Sequence, residues 1–271
     1  MEISKLIDTA RVIRQDIIRE IYSANSGHPG GSLSAADIVT ALYFEVMDID
    51  PGDPNKPGRD RFVLSKGHAA PALYAALAER GYFPREELLT LRKTGSRLQG
   101  HPSMNRLPGL DMSTGSLGQG ISVAVGMAIA SKMDGKGRVY ALLGDGELQE
   151  GLVWEAAMAA AHYGLDDLCA VVDHNGLQID GKNDDVMKVM PIDEKFRAFG
   201  WNVICIDGHD MAQIVDAFAA AKECKGKPTV IVAETHKGQG VSFMTDNAGW
   251  HGKAPNEEQA RLAMEELGGV L

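Results

Sequence analysis

Cysteine is scarce in this 271-residue chain, and its three cysteines, Cys169, Cys205 and Cys224, show no CxxC spacing. The sequence therefore lacks the paired pattern of a disulfide framework or a zinc ribbon. Cys169 and Cys205 fall within short apolar runs, which predicts buried and chemically inert thiols. A sparse, odd set of cysteines suits a reducing compartment, so we expect a cytoplasmic protein.

Positive charge is also in deficit, since 27 Lys and Arg face 37 Asp and Glu, giving a net charge of −10. No basic stripe interleaved with aromatic residues is present, which argues against a nucleic-acid partner. No apolar run approaches the roughly 18 residues that a membrane span needs. The isoleucine-rich N-terminus is interrupted by Lys and Arg, which is typical of an amphipathic helix and not of a signal peptide.

The common fingerprint motifs are missing as well. The sequence contains no GxGxxG opening a helix, no GxxxxGK[ST], no GxSxG and no HExxH. Nicotinamide-binding, P-loop, nucleophile-elbow and zinc-peptidase functions therefore lose their main sequence support.

What the chain does contain is a regular alternation of strand-like and helix-like segments. This alternation predicts an α/β fold in which a parallel sheet is covered by helices on both faces, in one domain spanning residues 1–271. The predicted strands are Arg61–Leu64, Val139–Leu143, Leu168–Asp173, Val203–Ile206 and Thr229–Ala233. The predicted helices are Ser34–Met47, Ala70–Arg80, Arg85–Leu91, Ile121–Met133, Leu152–Tyr163, Met211–Glu223 and Glu257–Leu267.

Two polar residues stand just beyond two consecutive predicted strands. Asp145 lies between glycines after the second strand, and Asn175 precedes a glycine after the third. A helical crossover between parallel strands brings both residues to one edge of the sheet. Singly, each is more typical of a helix cap or a turn. As a pair they indicate a binding site for a hard cation such as Mg²⁺. The N-terminus of the helix that follows would bind a diphosphate beside that cation.

Histidine is concentrated in glycine loops. Of the eight histidines, His28, His68, His101 and His209 each follow a glycine, and His251 precedes one. Any one of them is readily explained as a solvated loop residue. Several imidazoles around one pocket would suit a substrate rich in hydroxyl groups. The glycine pattern at residues 114–120 is equally typical of an anion-binding loop and of a loop that lets the following helix pack closely.

Taken together, these segments resemble the diphosphate-binding half of transketolases. The matching segments follow the order of that family from residue 26 to about residue 255. They are SGHPGG (26–31), DRFVLSKGHA (60–69), GHP (100–102), TGSLGQG (114–120), GDGELQEG (144–151), DHN (173–175), IDG (179–181), DGHD (207–210) and HG (251–252). Three positions depart from the common family pattern, namely Lys66, Ser116 and His174.

The resemblance implies that the chain binds thiamine diphosphate through Mg²⁺ or Ca²⁺. The implied metal ligands are Asp145, Asn175 and the backbone carbonyl of Leu177. The implied cofactor contacts are His68, Gly115, Ser116, Leu117, Gly146, Glu147, Asn175 and His251. The implied catalytic residues are His28, His101, His251 and Glu150.

The resemblance also implies the reaction and a partner. Transketolases transfer a two-carbon ketol unit from a ketose or its phosphate to an aldose or its phosphate. Their pyrimidine-binding domain lies beyond the part that this chain matches. We therefore expect this chain to be inactive without a C-terminal subunit that carries that domain, in a heterotetramer of two and two. Glu150 is either an interface carboxylate facing that subunit or an ordinary acid at a helix N-terminus.

Two alternatives remain open at this stage. The chain could be the α subunit of another thiamine diphosphate enzyme, either a 2-oxo acid decarboxylase or dehydrogenase, or part of a 1-deoxy-sugar synthase. It could also be a non-catalytic cofactor-binding module. The Gly-His loops favour polyhydroxylated substrates over 2-oxo acids.

Overall fold

The computed structural model describes residues 1–271, with nine α-helices and seven β-strands along the chain. The strands are β1 (Arg61–Leu64), β2 (Val139–Gly144), β3 (Leu168–His174), β4 (Leu177–Gln178), β5 (Gly181–Lys182), β6 (Asn202–Asp207) and β7 (Thr229–Glu234). The helices are α1 (Ile3–Ala24), α2 (Pro29–Ala41), α3 (Ala70–Arg80), α4 (Gln119–Asp134), α5 (Gly151–His162), α6 (Asn183–Val186), α7 (Ile192–Ala198), α8 (Met211–Glu223) and α9 (Glu257–Glu266).

Five of the strands form one parallel sheet in the order β1-β2-β3-β7-β6. The two remaining strands, β4 and β5, pair with each other as a short antiparallel hairpin. Because all five sheet strands run in one direction, their carboxyl ends meet at a single edge, where α/β folds bind ligands. The predicted parallel sheet is confirmed.

The sheet separates two apolar cores because successive strand residues point to opposite faces. On β2, Tyr140 and Leu142 enter the core built with α1, α2, α3, α8 and α9. The neighbouring Val139, Ala141 and Leu143 enter the core built with α4, α5 and α7. Both faces are therefore covered by helices, as the α/β pattern predicts. No helix combines the length and the apolar character needed to cross a bilayer.

Most predicted elements are present, with shifted ends. Helix α2 begins at Pro29 instead of Ser34, because proline fits the first helical position, where its missing N–H is not needed. The chain then continues as a π-helical turn at Leu42–Val46. The β4–β5 hairpin and helices α6 and α7 were not predicted, and the predicted helix Arg85–Leu91 is a 3₁₀ helix over Arg85–Thr90.

The prediction that Cys205 is buried is wrong. Cys169 is buried on the central strand β3, but Cys205 is exposed. Cys205 belongs to β6, which pairs only with β7 and forms one edge of the sheet. A short apolar run does not distinguish an edge strand from a central one, so the sequence pattern could not reveal this exposure.

Candidate active site

Asp145 lies at the carboxyl edge of the sheet, where β2 and β3 end side by side. Gly144 pairs in register with Asp173, and the Asp145 backbone N–H donates to the Asp173 carbonyl over 3.2 Å. The Asp145 Oδ2 atom in turn accepts from the backbone N–H of Gly176 over 2.5 Å. The structure therefore brings Asp145 together with the turn that carries Asn175, as the strand–helix–strand pattern predicts.

Asp145 is almost fully enclosed, with 2% of its surface exposed. Burial and the nearby Asp173 carboxylate both raise the pKa of Asp145 above its usual value. A cation bound nearby would lower the pKa of this buried carboxyl group, because positive charge stabilises the ionised form.

A cavity of about 330 Å³ opens at this edge and is lined by 20 residues. All but one of the metal-ligand, cofactor and catalytic residues that the family resemblance implies contribute to its wall. They are His28, His68, His101, Gly115, Leu117, Asp145, Gly146, Glu147, Glu150, Asn175, Leu177 and His251. The exception is Ser116, which is exposed and does not line the cavity although both of its neighbours do.

Four imidazoles meet in this cavity. The ring centroid of His28 lies 5.3 Å from that of His68, 5.4 Å from that of His251 and 6.3 Å from that of His101. The rings of His68 and His251 are 5.1 Å apart. These histidines come from four separate glycine loops, so only the fold brings them together.

Burial and nearby positive charge keep these imidazoles neutral. Burial, followed by the charge of Arg92, lowers the pKa of His28 to about 4. Burial, followed by the charge of Lys237, lowers the pKa of His251 to about 3. Burial likewise lowers the pKa values of His68 and His101. The Nδ1 atom of His28 is buried without a hydrogen-bond partner, so it can receive a polar group of a ligand.

Glu147 joins three loops at the base of the cavity. Its Oε1 atom accepts from the Ser65 hydroxyl and from the backbone N–H of Gly118, the latter over 2.8 Å. Its Oε2 atom accepts from the backbone N–H of Gly144 over 3.0 Å. Both oxygens therefore bind protein groups, and Glu147 positions the loops around the cavity.

The remaining metal-ligand candidates lie in the turn after β3. The Asn175 Oδ1 atom accepts from the backbone N–H of Leu177 over 3.1 Å. The Leu177 carbonyl accepts from Lys237 Nζ over 3.1 Å. A cation bound by this carbonyl would therefore compete with the Lys237 ammonium. No group of three His, Cys, Asp or Glu side chains is placed to hold a metal ion.

Lys237 is a further residue of the site, which the sequence pattern did not reveal. Lys237 lines the cavity, is 2% exposed and lies 3.1 Å from His251 Nδ1. Burial lowers its pKa to about 8. It follows β7, which pairs with β3 and ends beside it at this edge. Its position just beyond the end of a buried strand is the same sequence signal that Asp145 and Asn175 carry.

Lys66 is the second buried cation of the cavity. Its ammonium forms an ion pair with Asp173 and donates to the Gly31 carbonyl over 2.8 Å. Despite complete burial, this ammonium holds the pKa of Asp173 below its usual value. Lys66, which departs from the family pattern, is therefore paired with a buried carboxylate, Asp173.

His209 does not reach the cavity. Its Nδ1 atom lies 2.8 Å from Asp37 Oδ2, and its Nε2 atom accepts from the backbone N–H of His236 over 2.9 Å. This arrangement requires a proton on Nδ1 and none on Nε2. Despite burial, Arg14 and His209 hold the pKa of Asp37 below its usual value. His209 therefore anchors the segment that leads into Lys237.

Glu150 stands exposed at the rim of the cavity. It is the N-cap residue of α5, but its side chain makes no capping hydrogen bond. Both interpretations of Glu150, an interface carboxylate and an ordinary acid at a helix N-terminus, agree with this position.

The chain is similar to known transketolases over nearly its whole length. The family described as transketolase, thiamine diphosphate binding domain, matches residues 3–269. The chain is 49% identical over 259 residues to the 6-deoxy-6-sulfo-D-fructose transketolase subunit of Clostridium sp. (strain MSTE9), covering 95% of this chain and 94% of that relative. It is 43% identical over 255 residues to a subunit of the apulose-4-phosphate transketolase of Phocaeicola vulgatus, covering 94% and 90% of the two chains.

A solved structure agrees with this assignment. The transketolase of Campylobacter jejuni matches with a TM-score of 0.93 and 34% sequence identity, covering 100% of this chain and 44% of that chain. This match confirms the predicted fold class, and the family match confirms the resemblance drawn from the motifs. The chain belongs to the transketolase family and corresponds to its thiamine diphosphate-binding domain.

Proposed function

We propose that this chain is the N-terminal subunit of a two-subunit transketolase that transfers a two-carbon ketol unit from a ketose or its phosphate to an aldose or its phosphate. The observation that carries the proposal is the cavity in which four neutral imidazoles lie beside two buried lysines. Both relatives described above are named as transketolase subunits, and their named sugars carry a sulfonate or a phosphate.

The residues of the cavity fit thiamine diphosphate. Lys66 and Lys237 bring positive charge to the carboxyl edge of the sheet, as a diphosphate requires. Asp145, Asn175 and the Leu177 carbonyl offer the oxygen ligands that Mg²⁺ or Ca²⁺ prefers. Leu117 is one of only three apolar residues in the wall and supplies a surface for the organic rings of the cofactor.

When bound, thiamine diphosphate supplies an electron sink for the pair released as the C–C bond beside the ketose carbonyl breaks. The imidazoles handle the protons of that reaction. A neutral ring of His28, His101 or His251 can accept the hydroxyl proton through its bare nitrogen. The opposite N–H can stabilise a developing oxyanion. An anionic diphosphate beside Lys66 and Lys237 would also raise the pKa values of these rings toward neutrality.

A partner subunit with a pyrimidine-binding domain would complete this site, and we propose a heterotetramer of two and two in the cytoplasm. Exposed apolar residues on the two adjacent helices α4 and α5 support an interface there. Met133 on α4 is 81% exposed and Met158 on α5 is 60% exposed. Glu150 begins α5 at the rim of the cavity, where its carboxylate can face the partner.

Reconstitution tests this function. We expect the chain, co-purified with the product of the neighbouring reading frame, to show ketol transfer that requires thiamine diphosphate and Mg²⁺. Asp145→Asn should abolish the activity and the retention of cofactor in equilibrium dialysis. Asp216→Asn, which changes an exposed acid on α8, is the matched control.

Three outcomes would contradict the proposal in different ways. Consumption of pyruvate without ketol transfer would favour a 2-oxo acid enzyme or a 1-deoxy-sugar synthase. Unchanged activity of the Asp145→Asn complex would favour a module that takes no part in catalysis. Full activity of this chain without any partner would overturn the division of the enzyme between two chains.

A further inference from the structure

His101 is the only exposed histidine among the four that meet in the active-site cavity. Its ring packs on Gly115, where an added Cβ atom would lie 3.3 Å from both His101 Cγ and His101 Cδ2. No hydrogen bond from the protein reaches this ring, since the hydrogen bonds of His101 are made by its backbone. The position of the imidazole therefore depends on how firmly the backbone of residues 99–102 is held.

The hydroxyl group of Tyr74, on α3, binds this backbone. Its oxygen lies 2.9 Å from the Gln99 carbonyl oxygen and 3.2 Å from the His101 carbonyl oxygen, so both carbonyls accept from the one hydroxyl group. The carbonyl between them, that of Gly100, accepts only from the exposed Arg92 side chain, over 3.3 Å. Tyr74 is therefore the one buried side chain that donates to the turn leading into His101.

The Tyr74 hydroxyl group remains a donor at every working pH. Tyr74 is 0% exposed and belongs to the apolar core that α3 shares with α1 and α2. Burial, followed by the charge of Glu20, raises the pKa of Tyr74 above its usual value of 10. The hydroxyl group therefore keeps its hydrogen throughout the pH range in which imidazoles titrate.

Helix α3 connects Tyr74 with a second histidine of the cavity. The helix begins directly after the short 3₁₀ turn Gly67–Ala69, which carries His68. Every residue of α3 from Ala70 to Ala78 is buried, so the helix is fixed by packing along most of its length. One helix therefore positions two imidazoles, that of His68 through its first turn and that of His101 through Tyr74.

We propose that Tyr74 is a positioning residue that holds His101 where its imidazole exchanges a proton with a hydroxyl group of the sugar. The proposal rests on the proposed ketol transfer and adds a residue that touches neither substrate nor cofactor. Proton transfer requires the imidazole nitrogen and the hydroxyl oxygen to lie within hydrogen-bond reach. A small displacement of the ring therefore slows the reaction, and the Tyr74 hydroxyl group prevents that displacement.

Kinetics of the reconstituted complex test the proposal. We expect Tyr74→Phe to lower kcat for ketol transfer about tenfold, while the concentration of thiamine diphosphate that gives half-maximal activity stays unchanged. Tyr140→Phe is the matched control, because Tyr140 is buried in the same core but its hydroxyl group has no hydrogen-bond partner. This control should keep the wild-type kcat. Thermal unfolding of both variants, measured first, sets an assay temperature well below their midpoints.

A second pair of variants separates the positioning of His101 from a general effect on the fold. In a complex that already carries His101→Ala, we expect Tyr74→Phe to lower kcat no further, because the imidazole that it positions is absent. A loss of packing would instead lower kcat by the same factor with and without His101.

The imidazole signals of the isolated chain provide a measurement that needs no ketol transfer. In proton–carbon NMR spectra we expect Tyr74→Phe to shift or broaden the ring signal of His101, which is assigned by its loss in His101→Ala. The ring signal of His251 should stay in place. If the His101 signal responds in this way but the complex shows no ketol transfer, the proposed function fails and the positioning of His101 by Tyr74 stands.

Three outcomes would overturn the positioning role. An unchanged kcat in Tyr74→Phe would show that His101 needs no such restraint. An equal fall of kcat with and without His101, or the same fall in Tyr140→Phe, would show that the hydroxyl group acts on the core and not on the imidazole. An unchanged His101 ring signal in Tyr74→Phe would show that the hydroxyl group does not hold the ring.

Discussion

Glu20 on α1 has an environment that its sequence position does not reveal. Its side chain is fully buried, and neither carboxylate oxygen has a hydrogen-bond partner. Burial, followed by the charge of Asp16, raises the pKa of Glu20 well above its usual value of 4.5. The folded protein therefore holds Glu20 protonated at a pH where the unfolded chain ionises it. Because the folded state then binds more protons, the free energy of unfolding falls as the pH rises above 4.5 toward the raised pKa.

Removing this carboxyl group should stabilise the protein at neutral pH. We expect Glu20→Met to raise the free energy of unfolding of the isolated chain by about 1–3 kcal/mol, the cost of an unpartnered buried polar group. Glu20→Gln should remove the pH dependence while keeping a polar group buried. Urea denaturation across pH values measures both effects, with Glu265→Gln on the exposed surface as control. A loss of stability in Glu20→Met would show that the carboxyl group has a partner.

At this scale the sequence predicts side chains that stand at strand ends and misses those whose role depends on burial. Asp145 and Asn175 were found because the ends of adjacent parallel strands meet at one edge. Lys237 was missed because a lysine near glycines usually lies in solvent. The position of Ser116 outside the cavity depends on the local path of a glycine loop, which no residue pattern specifies.

Among the elements, α4 packs against the end of β1 through a glycine. A Cβ atom added at Gly120, in the first turn of α4, would lie 2.7 Å from Ser65 Cα and 2.6 Å from Ser65 Oγ. Because one of these atoms belongs to the backbone, the helix or the strand would have to move. In contrast, a Cβ atom at Gly126, in the middle of the same helix, would meet no atom within 4 Å. Close packing therefore requires a glycine at position 120 but not at position 126, although both residues lie in α4.

Two alanine substitutions in α4 should have opposite effects. We expect Gly120→Ala to lower the free energy of unfolding by about 1–3 kcal/mol through overpacking. We expect Gly126→Ala to raise it by about 0.5–1 kcal/mol, because alanine loses less backbone entropy in a helix. Chemical denaturation of the isolated chain measures both values. Equal changes of the same sign would show that helix propensity, and not the contact with Ser65, governs this helix.

Elements with clear periodicity were predicted well, and elements that depend on tertiary contacts were not. The bounds of β1, α3 and α8 agree with the prediction because apolar patterning and terminal residues coincide there. The β4–β5 hairpin has two residues in each strand, which is too short for any periodicity. Helix α7 is similarly short and buries only Ile192 and Phe196.

At the scale of the whole molecule, the imidazole cluster makes the fold sensitive to acid. The pKa of His28 is lowered to about 4 and that of His251 to about 3, against 6.5 for an ordinary imidazole. As the pH falls below 6.5, the unfolded chain binds these protons before the folded protein does. The contribution of the two histidines to stability is therefore complete above this range and is lost progressively as the pH falls toward 4.

This acid sensitivity can be measured on the isolated chain. We expect the free energy of unfolding to fall between about pH 7 and pH 5, and the fall to be smaller in the His28→Gln, His251→Gln variant. His162→Gln, at an exposed position on α5, is the control. Thiamine diphosphate with Mg²⁺ should stabilise the wild-type protein by mass action. An identical pH profile in the double variant would show that other groups control acid unfolding.

The overall architecture followed from the alternation of elements, but the meeting of the four histidine loops did not. His28 and His251 lie near opposite ends of the chain, and only the folded sheet places their rings 5.4 Å apart. The family resemblance implied that these histidines share one site, because the fold of that family is known. The residue pattern alone offered only several glycine-flanked histidines.

The exposure of Cys205 gives the protein a practical attachment point. Cys169 is buried, so replacing Cys224 by serine leaves Cys205 as the single accessible thiol. Burial, followed by the charge of Asp193, raises the pKa of Cys205 above its usual value, so coupling to a maleimide dye calls for an alkaline buffer. A fluorophore on this edge strand stands apart from the wall of the cavity. Binding of the second subunit could then be followed by fluorescence anisotropy without altering any residue of the catalytic cavity.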